Sequence, residues 1–361
     1  MFNSEKLAML TTQYCLSISG GNKVGIAGNV IATPLIQQLY KHVLLKGGYP
    51  EQRLDIDGLD ELFYAHATPK QLTYTSPFLR FYFENVDRLI VIRSETNVKK
   101  LSSVPAEKIK ERTASQKEIM TIYSKHATPG NLSIIPFPTL TYAQEAEMSL
   151  FEYEAFVEKA CFLDKADPVE EWKKLSSVQE RMVERLNSAR IMHFVGDNTD
   201  LTVNVEGRKW INCDGKINMP DGEVFTGPIE NSANGQIRFT YPGIFMGREI
   251  EDICLTFKEG EVTNATAVKG QELLQELLKI EGVSRIGEIA IGTNPYITRF
   301  TKSMLFDEKM GNCMHLALGR SIPMSGGQNK SSVHWDILKN MDSGEIFADD
   351  ELIYKNGQFV I

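Results

Sequence analysis

The stretch Asp87-Arg88-Leu89-Ile90-Val91-Ile92 ends in four consecutive large aliphatic side chains. A short run of this kind is typical of a strand that is buried on both faces of a parallel sheet. Two further strands are predicted at Lys23–Gly28 and Gln52–Leu54, and a helix follows the first of them from about Thr33. Strands that alternate with helices at this spacing predict a parallel α/β layer over residues 1–105.

The sequence pattern changes after residue 190. Segments such as Leu201–Val205 and Gln236–Tyr241 alternate between apolar and polar residues, which indicates antiparallel strands with one buried face. Before them, residues 106–190 are predicted to form a helical bridge with one long helix over about 142–190. The sequence therefore predicts two domains: an N-terminal α/β domain over 1–105, and a larger C-terminal α+β domain over 106–361 with a mixed β core and helices.

Composition and charge exclude several classes of protein. The 361 residues include 39 Lys and Arg against 47 Asp and Glu, a net charge of −8, which argues against a nucleic-acid partner. Five scattered cysteines without a C-x-x-C pair argue against a disulfide scaffold or a thiolate zinc site. The sequence shows neither a signal peptide nor an apolar run long enough to span a membrane. We therefore expect a cytoplasmic protein.

Four short segments in the last 140 residues carry the candidate chemistry. Glu223 follows a Pro/Gly turn and opens a β-rich run, whereas Glu288 is a single charge inside an apolar, glycine-bounded strand. A lone carboxylate in such a strand costs several kcal/mol unless it is paired or bound to a metal. His315 lies in a similar apolar run, and His334 and Asp336 are two residues apart. On a strand, the last pair would project from the same face and could chelate one ion.

Together these segments offer three carboxylates and two imidazoles. Such a set could hold two divalent ions with one bridging carboxylate, and two ions of this kind can activate a hydrolytic attack on a carbonyl group. Because the chain has only six histidines and no organised cysteines, carboxylates would supply much of the ligation. The alternative is that these are five unrelated structural residues, and spacing alone leaves both possibilities open.

Several blocks, in order, are similar to the thermophilic-type metalloaminopeptidases, the M29 peptidase family. They are Gly222–Thr226, Ile286–Gly292, Asp307–Lys309 with His315–Gly319, and Val333–Asp336. In the N-terminal part, Ala32–Leu35, Lys46–Pro50, and Asn85–Asp87 with Asn97-Val98 also resemble that family. The resemblance covers nearly the whole chain. It implies a metallo-exopeptidase that removes N-terminal residues from peptides and forms a homodimer with an enclosed active-site cavity.

The resemblance also implies roles for individual residues. Glu223 would bridge two divalent ions, which could be Zn, Co, Mn or Mg. Glu288 and His315 would complete one metal site, and His334 with Asp336 the other. Glu223 and Glu288 would be the catalytic carboxylates, with Glu288 moving protons. The family commonly places a Tyr seven residues after the histidine matched by His315, and this chain has Ile322 there.

Two other functions remain open at this point. The same fold family includes ring-cleaving dioxygenases that act on dihydroxypyridines with one Fe(II), and His315, His334 and Asp336 could form such a two-histidine, one-carboxylate triad. A mononuclear iron site does not need Glu223 and Glu288, so the presence of both favours the peptidase. The replacement of Tyr by Ile322 motivates the third possibility, a metal-binding homologue with weak activity.

Overall fold

A computed structural model describes residues 2–360. It divides into two compact units. Unit 1 contains the residues up to Glu170 together with Gly215–Pro220, and unit 2 contains Glu171–Asp214 and the residues from Asp221 onward. The predicted domain limits, 1–105 and 106–361, stay a prediction. The parallel sheet itself continues past residue 105, because its fourth strand is Leu132–Pro136.

Unit 1 is built on a four-stranded parallel sheet, as predicted. Its strands, in the order β2-β1-β3-β4, are β1 (Lys23–Asn29), β2 (Tyr49–Asp55), β3 (Arg88–Arg93) and β4 (Leu132–Pro136). The aliphatic run of the opening stretch forms the interior strand β3, where Leu89 and Ile90 are fully buried. Parallel strands are buried by the helices that connect them, which explains why this strand shows no apolar–polar alternation.

Helices connect and flank the strands of unit 1. They are α1 (Ser4–Leu10), α2 (Thr33–Leu45), α3 (Leu59–His66), α4 (Pro69–Leu72), α5 (Pro77–Asn85), α6 (Ala106–Ser115), α7 (Lys117–Ser124), α8 (Leu140–Glu145) and α9 (Leu150–Ala160). Short π-helical and 3₁₀ turns lie at Thr11–Cys15 and Val30–Ala32. The predicted long helix over 142–190 is wrong. It is three helices, because Ser149 and Glu152 form a capping box that starts α9, and a third helix, α10, begins only at Pro168 and runs to Leu186.

Unit 2 contains antiparallel sheets, also as predicted. Its strands are β5 (Ile191–Gly196), β6 (Thr199–Asn204), β7 (Ile211–Cys213), β8 (Glu223–Thr226), β9 (Asn234–Arg238), β10 (Gly243–Phe245), β11 (Arg248–Ile250), β12 (Cys254–Lys258), β13 (Glu261–Thr266), β14 (Ile286–Gly292), β15 (Cys313–Gly319), β16 (His334–Asn340), β17 (Glu345–Ala348), β18 (Glu351–Lys355) and β19 (Gln358–Phe359). An eight-stranded sheet has the order β13-β12-β9-β6-β5-β17-β18-β19, a five-stranded sheet has the order β16-β15-β14-β8-β7, and β10 and β11 form a hairpin. Helices α11 (Gln271–Leu278) and α12 (Met304–Asp307) and a 3₁₀ turn at Pro323–Ser325 complete the unit.

The main core of unit 2 joins its two large sheets. One face of the five-stranded sheet contributes Val224, Ile289, Leu316 and Ile337 to the same buried cluster that contains Phe194 and Ile237 of the eight-stranded sheet. Because side chains alternate along a strand, the residues between these positions lie on the other face of the five-stranded sheet. Among residues 2–360, no helix is long and apolar enough to cross a membrane.

Candidate metal centre

All five predicted site residues lie on the second face of the five-stranded sheet. Glu223 begins β8, Glu288 lies in β14, His315 in β15, and His334 and Asp336 in β16. Each is one residue away from a side chain of the main core on its own strand. The alternation that buries one face therefore projects these polar groups from four adjacent strands onto the opposite face.

Strand register brings the five side chains together. Ala317 of β15 pairs with Glu288 on one side and with Asp336 on the other. Ala290 of β14 pairs with His315. Both alanines are buried, and their methyl groups are much smaller than the neighbouring side chains on this face. The space that they leave allows carboxylates and imidazoles from different strands to converge.

The polar atoms of this cluster lie close to one another. His315 Nε2 is 3.1 Å from Glu288 Oε1, 3.6 Å from Glu223 Oε2 and 3.9 Å from Asp336 Oδ1. His334 Nε2 is 3.3 Å from Asp336 Oδ1 and 3.9 Å from Glu288 Oε2. Ligand atoms at about 2.0–2.2 Å from one ion are themselves about 3–4 Å apart. The distances between the polar atoms of the cluster therefore match those between the ligand atoms of a metal ion.

Three carboxylates of the cluster have buried oxygens that accept no hydrogen bond from the described residues. These atoms are Glu223 Oε2, Glu288 Oε2 and Asp336 Oδ1. A buried carboxylate oxygen without a donor carries a substantial desolvation cost. Glu288, His334 and Asp336 also offer one ligand atom each within 4.8 Å of one another. These observations fit the chemistry of a divalent cation, which would satisfy the unpaired oxygens.

The carboxylates raise the pKa values of the two imidazoles. Burial opposes a charged His315, but its hydrogen bond with Glu288 and the charges of Glu223 and Asp336 raise its pKa to about 9. Burial likewise opposes a charged His334, but the negative charge of Asp336 outweighs the effect of burial and raises the pKa of His334 to about 10. Burial also works against the Asp336 anion, whereas the charge of His334 holds the pKa of Asp336 well below its usual range. Without cations, protons on the two imidazoles compensate the carboxylates.

Glu223 lies where the cluster meets a second group of polar side chains. Burial raises the pKa of Glu223 to about 8, against the opposing charges of Lys309 and His315. On this side, Cys213, Asp221 and Glu223 offer ligand atoms within 4.8 Å of one another, and Lys309 Nζ is 3.4 Å from Glu223 Oε1. Glu223 therefore has a lysine against one oxygen and the imidazole of His315 nearest the other.

The backbone around Glu223 is held from three directions. Gly222 has a φ of +117°, and a Cβ atom there would lie 2.8 Å from Asn294 Cβ, so the turn into β8 requires glycine. The carbonyl of Gly222 accepts a hydrogen bond from Thr293 N at 2.8 Å. The buried Gln179 of α10 donates to the Glu223 carbonyl oxygen at 2.7 Å. These contacts fix the direction in which the Glu223 side chain leaves the strand.

Ile322 lies beside an apolar patch on the same face. It packs against a small cluster formed by Ile211, Phe225 and Ala290, of which Phe225 and Ala290 project from the strands that carry Glu223 and Glu288. Where the resemblance implies a phenol, this chain therefore has an aliphatic contact with the sheet.

Lys309 is not among the five site residues predicted from the sequence. In the sequence, the block Asp307-Glu308-Lys309 is only a point of resemblance to the family, yet the Lys309 side chain is fully buried and contacts both Glu308 and Glu223. A signal was present, since the lysine lies between two acidic residues and a glycine-bounded apolar strand. The sequence could not show that its ammonium group points to a carboxylate 86 positions earlier in the chain.

A sequence profile described as thermophilic metalloprotease (M29) matches residues 2–359. The chain belongs to this family. The resemblance drawn from the sequence blocks is thereby confirmed, together with the enzyme class, a metal-dependent peptidase.

Curated relatives and a solved structure agree with this assignment. Aminopeptidase PepS of Streptococcus thermophilus is 31% identical over an alignment that covers 62% of this chain and 62% of that protein. Aminopeptidase T of Thermus thermophilus is 27% identical, with 99% of this chain and 98% of the relative covered. The structure of wild-type AmpT from Thermus thermophilus matches with a TM-score of 0.86 and 23% identity over 99% of both chains. At that identity the structural match shows the fold, and it confirms the predicted mixed α/β architecture. These relatives are aminopeptidases, and they give the dioxygenase alternative no support.

Proposed function

We propose that this chain is an aminopeptidase that hydrolyses N-terminal residues from short peptides at a dinuclear divalent-metal site. The observation that carries the proposal is the convergence of three buried carboxylates and two imidazoles from four adjacent strands, with carboxylate oxygens that accept no hydrogen bond from the described residues. The names of the relatives supply the peptide substrate and the N-terminal direction of cleavage.

The proposed ligands are Glu223, Glu288, His315, His334 and Asp336. Glu223 would be the bridging carboxylate, as the family resemblance implies; its Oε2 is 3.6 Å from His315 Nε2, and Glu288, His334 and Asp336 form a close group beside them. Mixed carboxylate and imidazole ligands suit Zn, Co, Mn and Mg. When bound, such ions act as Lewis acids toward a scissile carbonyl and toward water. A mononuclear triad of His315, His334 and Asp336 would leave no role for Glu223 Oε2 and Glu288 Oε2, two buried oxygens that accept no hydrogen bond from the described residues.

Glu288 and His334 have further roles in the proposed reaction. Glu288 lies between the two imidazoles, with Oε1 near His315 and Oε2 near His334, so its carboxylate can take a proton from the attacking water and return it to the leaving amine. His334 Nδ1 lies 2.6 Å from the Arg320 carbonyl oxygen, and His334 Nε2 lies 3.3 Å from Asp336 Oδ1. The contact at Nδ1 fixes the ring orientation and directs Nε2 toward the cluster.

The homodimer and the cytoplasmic location are part of the same proposal. The homodimer follows from the family resemblance, and analytical ultracentrifugation tests it. The location is supported by five cysteines that are all free thiols, since disulfides are rare in reducing compartments. Fractionation of cells that produce the protein tests the location.

The proposal is tested with Glu223→Gln, which keeps the shape of the side chain and removes its charge. We expect wild-type protein to release the chromophore from an aminoacyl anilide with at least one of Co²⁺, Zn²⁺, Mn²⁺ and Mg²⁺, and the variant to lose this activity while its circular dichroism spectrum is unchanged. Glu272→Gln on the exposed side of α11 is the control and should retain full activity. Wild-type protein inactive toward a panel of aminoacyl anilides with all four metals would refute the peptidase proposal.

A further inference from the structure

Lys309 is a fully buried cation beside the candidate metal centre. It lies in the turn between α12 and β15, and its backbone is fixed at both ends by hydrogen bonds: Lys309 N donates to the Phe306 carbonyl, and Asn294 N donates to the Lys309 carbonyl. Its ammonium group contacts Glu308 and is 3.4 Å from Glu223 Oε1. The side chain has no exposed surface, so water does not compensate its charge.

A second buried lysine of unit 2 shows that this arrangement is specific. Lys339 is also buried, but it donates to the carbonyl oxygens of Asp197 and Arg238, both at 3.1 Å. It lies on the other face of the five-stranded sheet, because it is an odd number of residues away from Asp336 along β16. Lys339 therefore satisfies backbone carbonyls, whereas Lys309 compensates carboxylates of the candidate centre.

The ammonium of Lys309 contacts one member of a group of three residues that could otherwise bind a cation. Cys213, Asp221 and Glu223 have ligand atoms within 4.8 Å of one another. The ammonium of Lys309 is close enough to Asp221, Glu223 and Glu308 to be acted on by all three negative charges. A fixed positive charge in such a pocket repels a second cation. It also draws Glu223 Oε1 away from His315, which leaves Oε2 as the oxygen nearest the imidazole.

We propose that Lys309 is an internal counter-cation and a positioning residue for Glu223. Its ammonium occupies the pocket of Cys213, Asp221, Glu223 and Glu308, excludes a divalent ion from it, and leaves one oxygen of Glu223 for the ions of the centre. It thereby lowers the affinity of the centre for divalent cations and fixes how Glu223 binds them. This inference rests on the proposed function, because it assumes that Glu223 is a metal ligand.

The test compares Lys309→Met with Lys309→Arg and Lys339→Met. Calorimetric titration with Zn²⁺ and Co²⁺ measures affinity and the number of ions bound per chain. We expect Lys309→Met to bind divalent ions about tenfold more tightly or more, about 1.4 kcal/mol in binding free energy, or to bind one additional ion. Its kcat should fall with little change in KM. Lys309→Arg keeps the charge and should bind metal as wild-type protein does, and Lys339→Met should not change metal binding.

If Lys309 had a purely structural role, Lys309→Met would lower the affinity for divalent ions instead of raising it. Affinity that is equal or lower in Lys309→Met, with no additional ion bound, overturns the inference, because loss of structure weakens a metal site and does not tighten it. Wild-type protein that binds no divalent ion contradicts the proposed function itself, so the two failures are distinguishable.

A measurement on wild-type protein applies even if Lys309→Met does not fold. Protein loaded with Co²⁺ should show no thiolate-to-cobalt charge-transfer band, because Lys309 keeps the ion away from Cys213. Such a band, if it disappears in Cys213→Ser, overturns the inference.

Discussion

The two oxygens of Glu223 have different surroundings, and this difference is the most informative detail at the scale of single residues. Oε1 faces the Lys309 ammonium at 3.4 Å, whereas Oε2 is 3.6 Å from His315 Nε2 and accepts no hydrogen bond from the described residues. One oxygen of this carboxylate thus contacts a cation that belongs to the protein, and the other is available to a metal ion that can exchange with solvent. The raised pKa values of His315 and His334 have the same origin, an excess of buried negative charge.

These pKa values predict how protons and metal compete. The imidazoles of His315 and His334, with pKa values of about 9 and 10, are protonated at pH 7 in the metal-free protein and must lose protons to bind a cation. We expect metal binding at pH 7 to release protons and the apparent affinity to rise toward pH 9. Calorimetry in two buffers of different ionisation enthalpy counts the protons. Binding without proton release at pH 7 would contradict the assignment of these two ligands.

The same values fix the sign of the pH dependence of stability. Both imidazoles have pKa values raised above 6.5, so their stabilising contribution is complete below pH 6.5 and is lost as the pH rises through about 9 to 10. Glu223, with its pKa raised to about 8, acts in the same direction. The melting temperature of chelator-treated protein should therefore fall between pH 7 and pH 10. In His334→Gln the fall should be smaller, and the exposed His66→Gln should behave as wild-type protein does.

At the scale of the element, the five-stranded sheet has two faces with different functions. One face forms the main core, and the other carries the candidate ligands above the small side chains of Ala290 and Ala317. Ala317 pairs with Glu288 and with Asp336. A larger side chain at this position would occupy the space into which both carboxylates project.

Ala317→Leu should therefore prevent metal binding while the sheet remains folded. We expect the divalent-ion affinity to fall by at least about tenfold and the free energy of unfolding to fall by about 1–3 kcal/mol, as is usual for overpacking. Ala317→Gly also perturbs β15, at a cost of up to about 1 kcal/mol, but leaves the space open and should bind metal. Isothermal titration and urea denaturation measure both quantities. Equal metal affinity in the two variants would show that metal binding does not depend on the size of the side chain at position 317.

At the scale of the molecule, the five candidate ligands and Lys309 all belong to unit 2. A ligand that binds only the folded state stabilises it by mass action, by about 2.7 kcal/mol at a free concentration one hundred times the dissociation constant. We expect hydrogen exchange in β8, β14, β15 and β16 to slow when Zn²⁺ is added. The parallel sheet of unit 1 should be protected less. Mass spectrometry of peptides from the two units makes the comparison, and protection that is equal in β1–β4 would contradict a site confined to unit 2.

Much of this protein followed from its sequence. The aliphatic run in β3 and the alternation after residue 190 predicted the parallel and antiparallel regions, because burial on two faces or on one leaves a direct trace in the order of residues. The break of the predicted long helix at Ser149 was missed because a local capping box outweighed helical periodicity. Glu288 and His315 stood out as polar groups in apolar strands, and the spacing of His334 and Asp336 placed them on one face.

Only the tertiary structure decided how these residues meet. Strand order brings β8 beside β14 and β14 beside β15, and register sets Ala317 between Glu288 and Asp336. Neither can be read from local sequence, because both depend on pairings between residues far apart in the chain. Lys309 shows this most clearly. The sequence determined that a lysine follows two acidic residues, but burial against Glu223 turned it from an ordinary surface charge into a counter-cation of the candidate centre, since a charge removed from water must find its partner in the fold.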